Sequence, residues 1–321
     1  MPVSIRARAV RALLVLAASV ALMVSVVNVS QAQSQRSVAT AHGDITVPEH
    51  PKRVVTLYEA ALDTSIAVGV KPLGAVYTRG GSSVADYIKD QAQGIDIVGG
   101  PRDINFEKVL SERPDLILAS PFTPDSVYQR LSQIAPTIVP KHDRENPFPE
   151  NYWQNESRLF AQALGKEQEI NDVYARLDER IDQIGKEINP HRDQHLALAR
   201  WNPQGPIVMS ERVFADDLLR RLGFIAPDIS RQLTKRPHSD VLSLENLDQI
   251  DGDWLLLATL NGEGEEALAA AEKQPAFQRL KVAQNKRVIT VDGSLWTSAA
   301  GPIAANKVLD QLEQKMKAAH Q

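Results

Sequence analysis

The sequence of 321 residues contains no cysteine, so disulfides, thiol nucleophiles and cysteine-ligated metal centres are excluded. Signatures of catalysis are also missing. No G-x-S-x-G nucleophile elbow occurs, and the pairs Gly80-Gly81 and Gly99-Gly100 do not have the spacing of a phosphate-binding loop. These absences argue against an enzyme.

Only one long apolar run is present, at residues 12–27. It follows Arg6, Arg8 and Arg11 and precedes the small-x-small motif Ser30-Gln31-Ala32. This order is typical of a secretory signal peptide and predicts cleavage after Ala32; an uncleaved membrane anchor is the alternative, but the run is short for a span of about 20 residues. We therefore expect export to the periplasm. Because no cysteine is present to carry a lipid, we also expect a protein without a lipid anchor.

An excess of positive charge is lacking as well. The 36 basic and 40 acidic residues give a formal charge of −4, and loss of the three signal-peptide arginines leaves 33 against 40, or −7. This balance argues against nucleic acid as a partner. The length, at roughly 150 residues per domain, predicts two domains, and the apolar content of 43% is enough for substantial cores.

Short apolar runs alternate with helical segments on both sides of one long helical segment. The alternation predicts βα units, and hence an α/β protein with two Rossmann-like lobes and mainly parallel sheets. Residues 151–188 carry apolar residues at helical spacing, which predicts one long connecting helix with a bend near Gly165. The expected division is a signal peptide at 1–32, an N-terminal lobe at 33–150, the connecting helix at 151–188, and a C-terminal lobe with a closing helix at 189–321.

Two distant segments repeat one pattern: INFEKVLSERPDLILAS from position 104 and VLSLENLDQIDGDWLLLAT from position 241. In each, a polar residue suited to capping a helix is followed by an apolar residue and then by Glu107 or Glu245. An aspartate, Asp115 or Asp253, then precedes an apolar run that is typical of a buried parallel strand. A single glutamate in a first helical turn is usually an ordinary solvated residue, but two at equivalent positions in two lobes favour a shared function.

These elements together resemble the helix-backbone periplasmic substrate-binding proteins of ABC importers, and within them the iron-siderophore and ferric dicitrate-binding group. The resemblance covers the whole mature chain and rests on HPKRVVTLYEAALDTSIAVGVKPLGAV, VGGPRDINFEKVLSERPDLILAS, the mid-chain helix, LSLENLDQIDGDWLLLA and VDGSLWTSAAGP. It implies a ligand cleft between the lobes and delivery of a ferric siderophore, of citrate or carboxylate type, to an inner-membrane permease dimer. In this family a glutamate on each lobe pairs with permease arginines, a role that falls here to Glu107 and Glu245.

Residues at the ends of predicted strands are the candidates for ligand contact, because strand ends and their loops converge on such a cleft. Arginines would bind an anionic ferric complex through charge-assisted hydrogen bonds, and aromatic faces would cover its apolar parts. The expected ligand-binding residues are Tyr58, Tyr77, Arg79, Arg102, Arg200, Trp201 and Trp296. Trp296 matches a family tryptophan, with packing between the lobes as its alternative role. Arg236 and His238 are a weaker pair, and Glu59 has no assigned role.

The sequence leaves the ligand open among ferric citrate, another carboxylate siderophore, a hydroxamate, haem and cobalamin. A direct zinc- or manganese-binding protein is a further alternative, because His191 and His195 have the spacing of a metal pair. Pro190 and the strand that follows place them in a loop leading into a strand, however, where this spacing does not put them on one face. We expect a monomer with no cofactor of its own, in which iron is present only as part of the ligand.

Overall fold

The computed structural model describes residues 34–319. The expected signal peptide at 1–32 lies outside the described residues. The described part starts with a two-stranded sheet formed by β1 (Gln35–Thr40) and β2 (Gly43–Pro48). Gly43, the first residue of β2 after the turn, has a φ of 88°, a conformation that glycine adopts without strain.

The first lobe is built on a five-stranded parallel sheet with the strand order β5-β4-β3-β6-β7. Its strands are β3 (Val54–Leu57), β4 (Gly74–Ala75), β5 (Asp96–Ile97), β6 (Leu116–Ala119) and β7 (Thr137–Ile138). Its helices are α1 (Glu59–Ala67), a 3-10 helix (Asp86–Ile88), α2 (Phe106–Ser111) and α3 (Asp125–Ser132). This lobe confirms the predicted βα alternation.

Two helices rather than one continuous helix connect the lobes, which corrects the expectation for residues 151–188. They are α4 (Tyr152–Leu164) and α5 (Glu167–Ile188). Gly165 ends α4 with a left-handed φ of 71°, Lys166 N donates to Ala161 O over 2.8 Å, and Gly165 N donates to Gln162 O over 3.1 Å. This is a Schellman motif, so the bend expected near Gly165 is a complete helix end.

The second lobe contains a four-stranded sheet with the order β11-β10-β8-β9, in which only β9 is antiparallel to its neighbour. Its strands are β8 (Leu196–Asn202), β9 (Gly205–Val208), β10 (Trp254–Thr259) and β11 (Val288–Asp292). Its helices are α6 (Phe214–Arg221), α7 (Asp228–Gln232), a 3-10 helix (Leu244–Ile250), α8 (Gly262–Ala271), α9 (Pro275–Gln278), α10 (Lys281–Gln284) and α11 (Gly293–Thr297). The mainly parallel, two-lobed α/β fold is thereby confirmed.

The last helix, α12 (Pro302–Ala319), packs against α5 and also against α1 of the first lobe. Its first turn is capped by Asp63 of α1, whose carboxylate oxygens accept from Ile303 N over 2.9 Å and Ala304 N over 2.8 Å. The closing helix therefore joins the second lobe back to the first. No helix within residues 34–319 is long and apolar enough to cross a membrane.

Alternation along the strands gives each sheet two apolar faces. One hydrophobic cluster includes Leu118 of β6, Phe160 of α4, and Leu198 and Leu256 of the second sheet. The opposite faces pack into separate clusters, as shown by Ile117 of β6. Because successive strand residues point to opposite faces, both sheets contribute one face to a core that they share through the helices between them.

The aspartates of the repeated segments have matching structural roles. Asp115 accepts hydrogen bonds from Lys52 N and Arg53 N, directly before β3, over 2.8 and 2.9 Å. Asp253 accepts one from His195 N, directly before β8, over 2.8 Å. In each lobe the aspartate thus fixes the start of one strand and directly precedes the neighbouring strand with which it pairs. This structural role explains why the aspartate is repeated without any shared function.

Candidate ligand-binding cleft

A cavity of about 790 Å³ lies between the two lobes. It opens where strands of the sheets end: Tyr58 follows β3, Phe122 comes shortly after β6, and Trp296 lies in α11, which follows β11. Arg200 and Met209 contribute walls from the second lobe. The cavity therefore lies at the carboxyl ends of parallel strands, where open α/β sheets bind ligands.

Three of the predicted arginines, Arg79, Arg102 and Arg200, line this cavity. Arg200 is 7% exposed; its Nη1 donates to Thr297 Oγ1 over 3.4 Å, while its Nε is buried without a hydrogen-bond partner. Burial, and to a smaller extent the charge of Arg79, lower the pKa of Arg200. Several arginines within residues 34–319 form ion pairs, but none of these three does. The cavity thus presents guanidinium groups from both lobes that are free to bind an anion.

Trp201 is not part of this cavity. The strand β8 continues through Asn202, so Arg200 and Trp201 are successive strand residues and point to opposite faces of the sheet. Trp201 is 2% exposed and lies on the outer face, with its ring 6.1 Å from that of Phe277. Its position is that of a core residue.

Tyr77 does not line the cavity either, although it contacts a loop that does. Its hydroxyl donates to the carboxylate of Asp103, 2.8 Å from Oδ1, and this hydrogen bond raises the pKa of Tyr77. A side chain at Gly100 would collide with the Tyr77 ring. Tyr77 thus holds the loop that carries Arg102 and Asp103.

Trp296 lies between the cavity and the closing helix. It lines the cavity but is only 1% exposed, and its indole Nε1 donates to Gln311 Oε1 of α12 over 2.9 Å. The indole is thus fixed by the closing helix. His238 also lines the cavity, whereas Arg236 pairs with Asp240 over 2.5 Å and does not.

Half-buried tyrosines surround Glu156 of α4 at the cavity wall. Tyr58 donates its hydroxyl hydrogen to Glu156 Oε2 over 3.2 Å, and burial raises the pKa of Glu156 to about 7. Burial first, and then the charge of Glu156, raise the pKa of Tyr58. Tyr152, one helical turn before Glu156, accepts from Phe214 N over 3.1 Å. These contacts join β3, α4 and α6 at the cavity.

Glu59 begins α1 and also lines the cavity. Its Oε1 accepts from the backbone N of Arg79 over 3.2 Å, so it positions the loop that carries this arginine. Burial raises the pKa of Glu59 to about 7. Because Glu59 and Glu156 hold protons near neutral pH, they offset less of the arginine charge than two ionised carboxylates would.

Several residues that line the cavity are not among the predicted ligand contacts. Phe122, three residues after β6, is 62% exposed, and its ring lies 4.6 Å from that of His142. Phe148 lies 5.6 Å from Tyr152, and both line the cavity together with Glu156. The helix pattern had suggested only an amphipathic core face for α4. A polar Glu156 one turn after Tyr152 was the available signal.

Glu107 and Glu245 lie outside the cavity lining. Both are exposed in the first turn of a helix, Glu107 in α2 and Glu245 in the 3-10 helix Leu244–Ile250. Asn105 caps α2, its side-chain oxygen accepting from Lys108 N over 3.0 Å. The equivalent Ser243 makes no side-chain cap, so the two segments share their position more closely than their helical geometry.

The histidine pair is divided between different structures. His191 lies in an exposed turn and His195 directly precedes β8. Within residues 34–319, no three side chains from among histidine, aspartate and glutamate are placed to hold a metal ion. A cleft between two α/β lobes, lined by arginines and aromatic rings, is typical of a two-lobed solute-binding protein.

The comparisons with known proteins agree with this class. The family model described as periplasmic binding protein matches residues 54–295. The chain is 27% identical to the probable siderophore-binding lipoprotein YfiY of Bacillus subtilis (strain 168) over 83% of each protein. It is also 27% identical to the Fe(3+)-citrate-binding protein YfmC of that strain, over 85% of this chain and 83% of the relative. The crystal structure of Staphylococcus aureus SirA complexed with staphyloferrin B superposes with a TM-score of 0.75 at 24% identity, over 88% of this chain and 98% of SirA.

The chain therefore belongs to the periplasmic binding protein family. The family consists of substrate-binding proteins, so the chain binds and releases a solute and is not an enzyme.

Proposed function

We propose that this chain is the solute-binding component of an ABC importer, and that it binds a ferric siderophore of citrate or carboxylate type in the cleft and delivers it to an inner-membrane permease dimer. The observation that carries the proposal is the placement of Arg79 and Arg200, one on each lobe, in one cavity without an ion-pair partner among residues 34–319. An anionic ligand between them would relieve the repulsion of their charges.

The ligand class is supported by the relatives and by the chemistry of the cavity. YfiY is named for siderophore binding and YfmC for Fe(3+)-citrate binding. In this proposal Arg79, Arg102 and Arg200 bind the outer oxygens of the complex, and Tyr58 and Trp296 contact its less polar parts. Iron arrives with the ligand and is not coordinated by the protein.

The wider setting belongs to the same proposal. Glu107 and Glu245, exposed and away from the cavity, would pair with arginines on the two halves of the permease. The protein would work as a monomer in the periplasm. The absence of cysteine favours a form without a lipid anchor, in contrast to YfiY, which is named a lipoprotein.

A fluorescence titration tests the ligand class. Trp296 lines the cavity, so bound ligands should quench tryptophan emission, and we expect ferric citrate or another ferric carboxylate complex to reach half-maximal quenching at a lower concentration than ferric hydroxamates, haem or cobalamin. Changing Arg79, Arg102 or Arg200 to alanine should weaken binding by roughly 1.5–3 kcal/mol, the range for a lost hydrogen bond to a charged group.

Arg236→Ala is the matched control, because Arg236 lies beside cavity residues in sequence but pairs with Asp240 on the surface. The affinity of this variant for the ferric carboxylate complex should equal that of the unchanged protein. Tight binding of neutral hydroxamates, together with indifference to every carboxylate complex, would contradict the proposed ligand class.

A further inference from the structure

Large apolar side chains that are exposed are few and unevenly placed. Among residues 34–319 they are Leu110 at 58%, Phe122 at 62%, Val241 at 47% and Leu244 at 38%. Phe122 lines the cavity, where a ligand can cover it. The other three lie within four residues of the two repeated glutamates, although neither segment needs them for its own core.

In the first lobe Leu110 follows Glu107 by three positions on α2. Residues three apart share one face of a helix, so the carboxylate and the leucine lie side by side. The opposite face is anchored by Val109, which is 0% exposed. The backbone of α2 is fixed at its start by the Asn105 cap, so Leu110 is presented to solvent by an ordered helix.

In the second lobe Val241 and Leu244 precede Glu245. This segment is also held firmly, since Leu242 N donates to Pro206 O over 2.8 Å and Leu247 is 1% exposed. Val241 lies against Gly205, where a side-chain carbon would come within 2.9 Å of its Cγ1. The exposed apolar groups thus belong to a packed surface.

Both groups lie next to the cavity in the chain. Phe106, the first residue of α2, lines the cavity four residues before Leu110. His238 lines it from the second lobe three residues before Val241. Each lobe therefore carries an apolar group and a glutamate that lie, along the chain, within seven residues of a side chain lining the cavity.

We propose that Leu110 on one lobe, and Val241 with Leu244 on the other, are apolar contacts that bind the two halves of the importer permease beside the glutamate contacts. This inference rests on the proposed function. Duplication on two lobes fits a partner with two equivalent halves. A carboxylate beside apolar surface fits an arginine, whose stem packs on apolar groups while its guanidinium pairs with the acid. The apolar contacts exclude water from the ion pairs and strengthen them.

Photo-crosslinking identifies the partner. A benzoylphenylalanine at position 110 or 244, introduced in iron-limited cells, should crosslink to an integral-membrane permease subunit. The same group at position 179, which is exposed on α5 and outside the cavity lining, should not. Crosslinks to a second copy of this chain, or to no protein, would overturn the inference.

Binding of purified, fluorescently labelled protein to spheroplasts measures how much these three apolar side chains contribute to permease binding. The triple variant Leu110→Ser/Val241→Ser/Leu244→Ser should bind at least about tenfold more weakly, as expected for buried interface anchors. The triple variant Leu110→Met/Val241→Ile/Leu244→Met keeps the apolar surface and should stay within about threefold of the unchanged protein. Tryptophan quenching by ferric citrate should be the same for all three proteins.

The double variant Glu107→Arg/Glu245→Arg separates the inference from the proposal on which it rests. If it loses spheroplast binding while the serine variant binds normally, docking through the glutamates stands and the apolar contacts are refuted. If the serine variant loses binding and the charge-reversed variant does not, the apolar contacts stand without the ion pairs. If neither change matters, both fall.

Discussion

The cavity is lined by three arginines, Arg79, Arg102 and Arg200, and by three acidic residues, Glu59, Asp103 and Glu156. Glu59 and Glu156 lie in the same cavity as Arg79 and Arg200, but burial raises the pKa of each glutamate to about 7. Near neutral pH these carboxyls are therefore partly protonated. The arginines consequently keep a net positive cavity, although the residue count alone suggests near balance.

The same carboxyls predict how the stability of the ligand-free protein depends on pH. Glu156 has a folded pKa of about 7, above the ordinary value of 4.5, so the folded state holds the proton more tightly than the unfolded state. Its contribution is complete below pH 4.5 and is lost as the pH rises through 7. We expect the free energy of unfolding in urea to fall from pH 5 to pH 8, and Glu156→Gln to remove roughly 1–3 kcal/mol of that change.

Part of the slope should remain in Glu156→Gln, because burial also raises the pKa of Glu59 and Asp63 to about 7. Glu179→Gln on the exposed face of α5 is the control and should leave the slope unchanged. An unaltered slope in Glu156→Gln would show that this carboxyl is ionised in the folded protein.

At the scale of elements, the junction between α4 and α5 depends on Gly165. Its left-handed φ of 71° ends α4, and a side-chain carbon there would lie 2.7 Å from both Arg36 Nη2 and Glu49 O. Arg36 in β1 in turn pairs with Glu167 at the start of α5, with Nη1 2.9 Å from Oε1. The two-stranded sheet of β1 and β2 is thus anchored to this junction, and a continuous helix would destroy the ion pair between Arg36 and Glu167.

Gly165→Ala should therefore destabilise the protein by two effects, backbone strain and steric collision. Gly69→Ala isolates the first, because Gly69 has a similar φ of 80° at the end of α1 but nothing within 4 Å of the added carbon. We expect Gly69→Ala to cost about 1 kcal/mol and Gly165→Ala about 2–4 kcal/mol in urea unfolding. Equal losses would mean that Arg36 and Glu49 move aside freely.

On the scale of the whole molecule, the lobes are joined in three ways. The helices α4 and α5 connect them in sequence, one hydrophobic cluster includes strands of both sheets, and α12 returns to α1 through Asp63. Gly301, with a φ of 129°, lets Asp63 approach the start of α12, where a side chain would collide with it. Such an arrangement resists wide hinge motion.

Small-angle scattering should accordingly give the same radius of gyration for the protein with and without the ferric complex that binds most tightly in the fluorescence titration. A loop-hinged protein would become clearly more compact on loading. As a positive control for sensitivity, Asp63→Ala removes the acceptor from two backbone N–H groups of α12 and should increase the difference. A large decrease in the radius of gyration of the unchanged protein on loading would contradict the conclusion that the shared core restricts motion of the lobes.

Local sequence patterns determined the class and much of the architecture. The alternating runs predicted the mainly parallel sheets, because periodicity and turn residues act over a few positions. The repeat predicted that Glu107 and Glu245 lie in the first turns of two helices. The ends of predicted strands placed Tyr58, Arg79 and Arg102 at the cavity. These inferences need only which residues follow a strand or begin a helix.

Tertiary structure alone decided what each of these residues faces. Trp201 lies within strand β8 and therefore points to the face opposite that of Arg200. Tyr77 binds Asp103 rather than facing the cavity. Glu156 lines the cavity from a helix whose apolar pattern indicated only packing. At the junction beside Gly165, Arg36 pairs with Glu167, which is far away in sequence. Sequence periodicity records which face of an element is apolar, but the neighbour of a side chain is set by contacts between distant segments, which no local pattern contains.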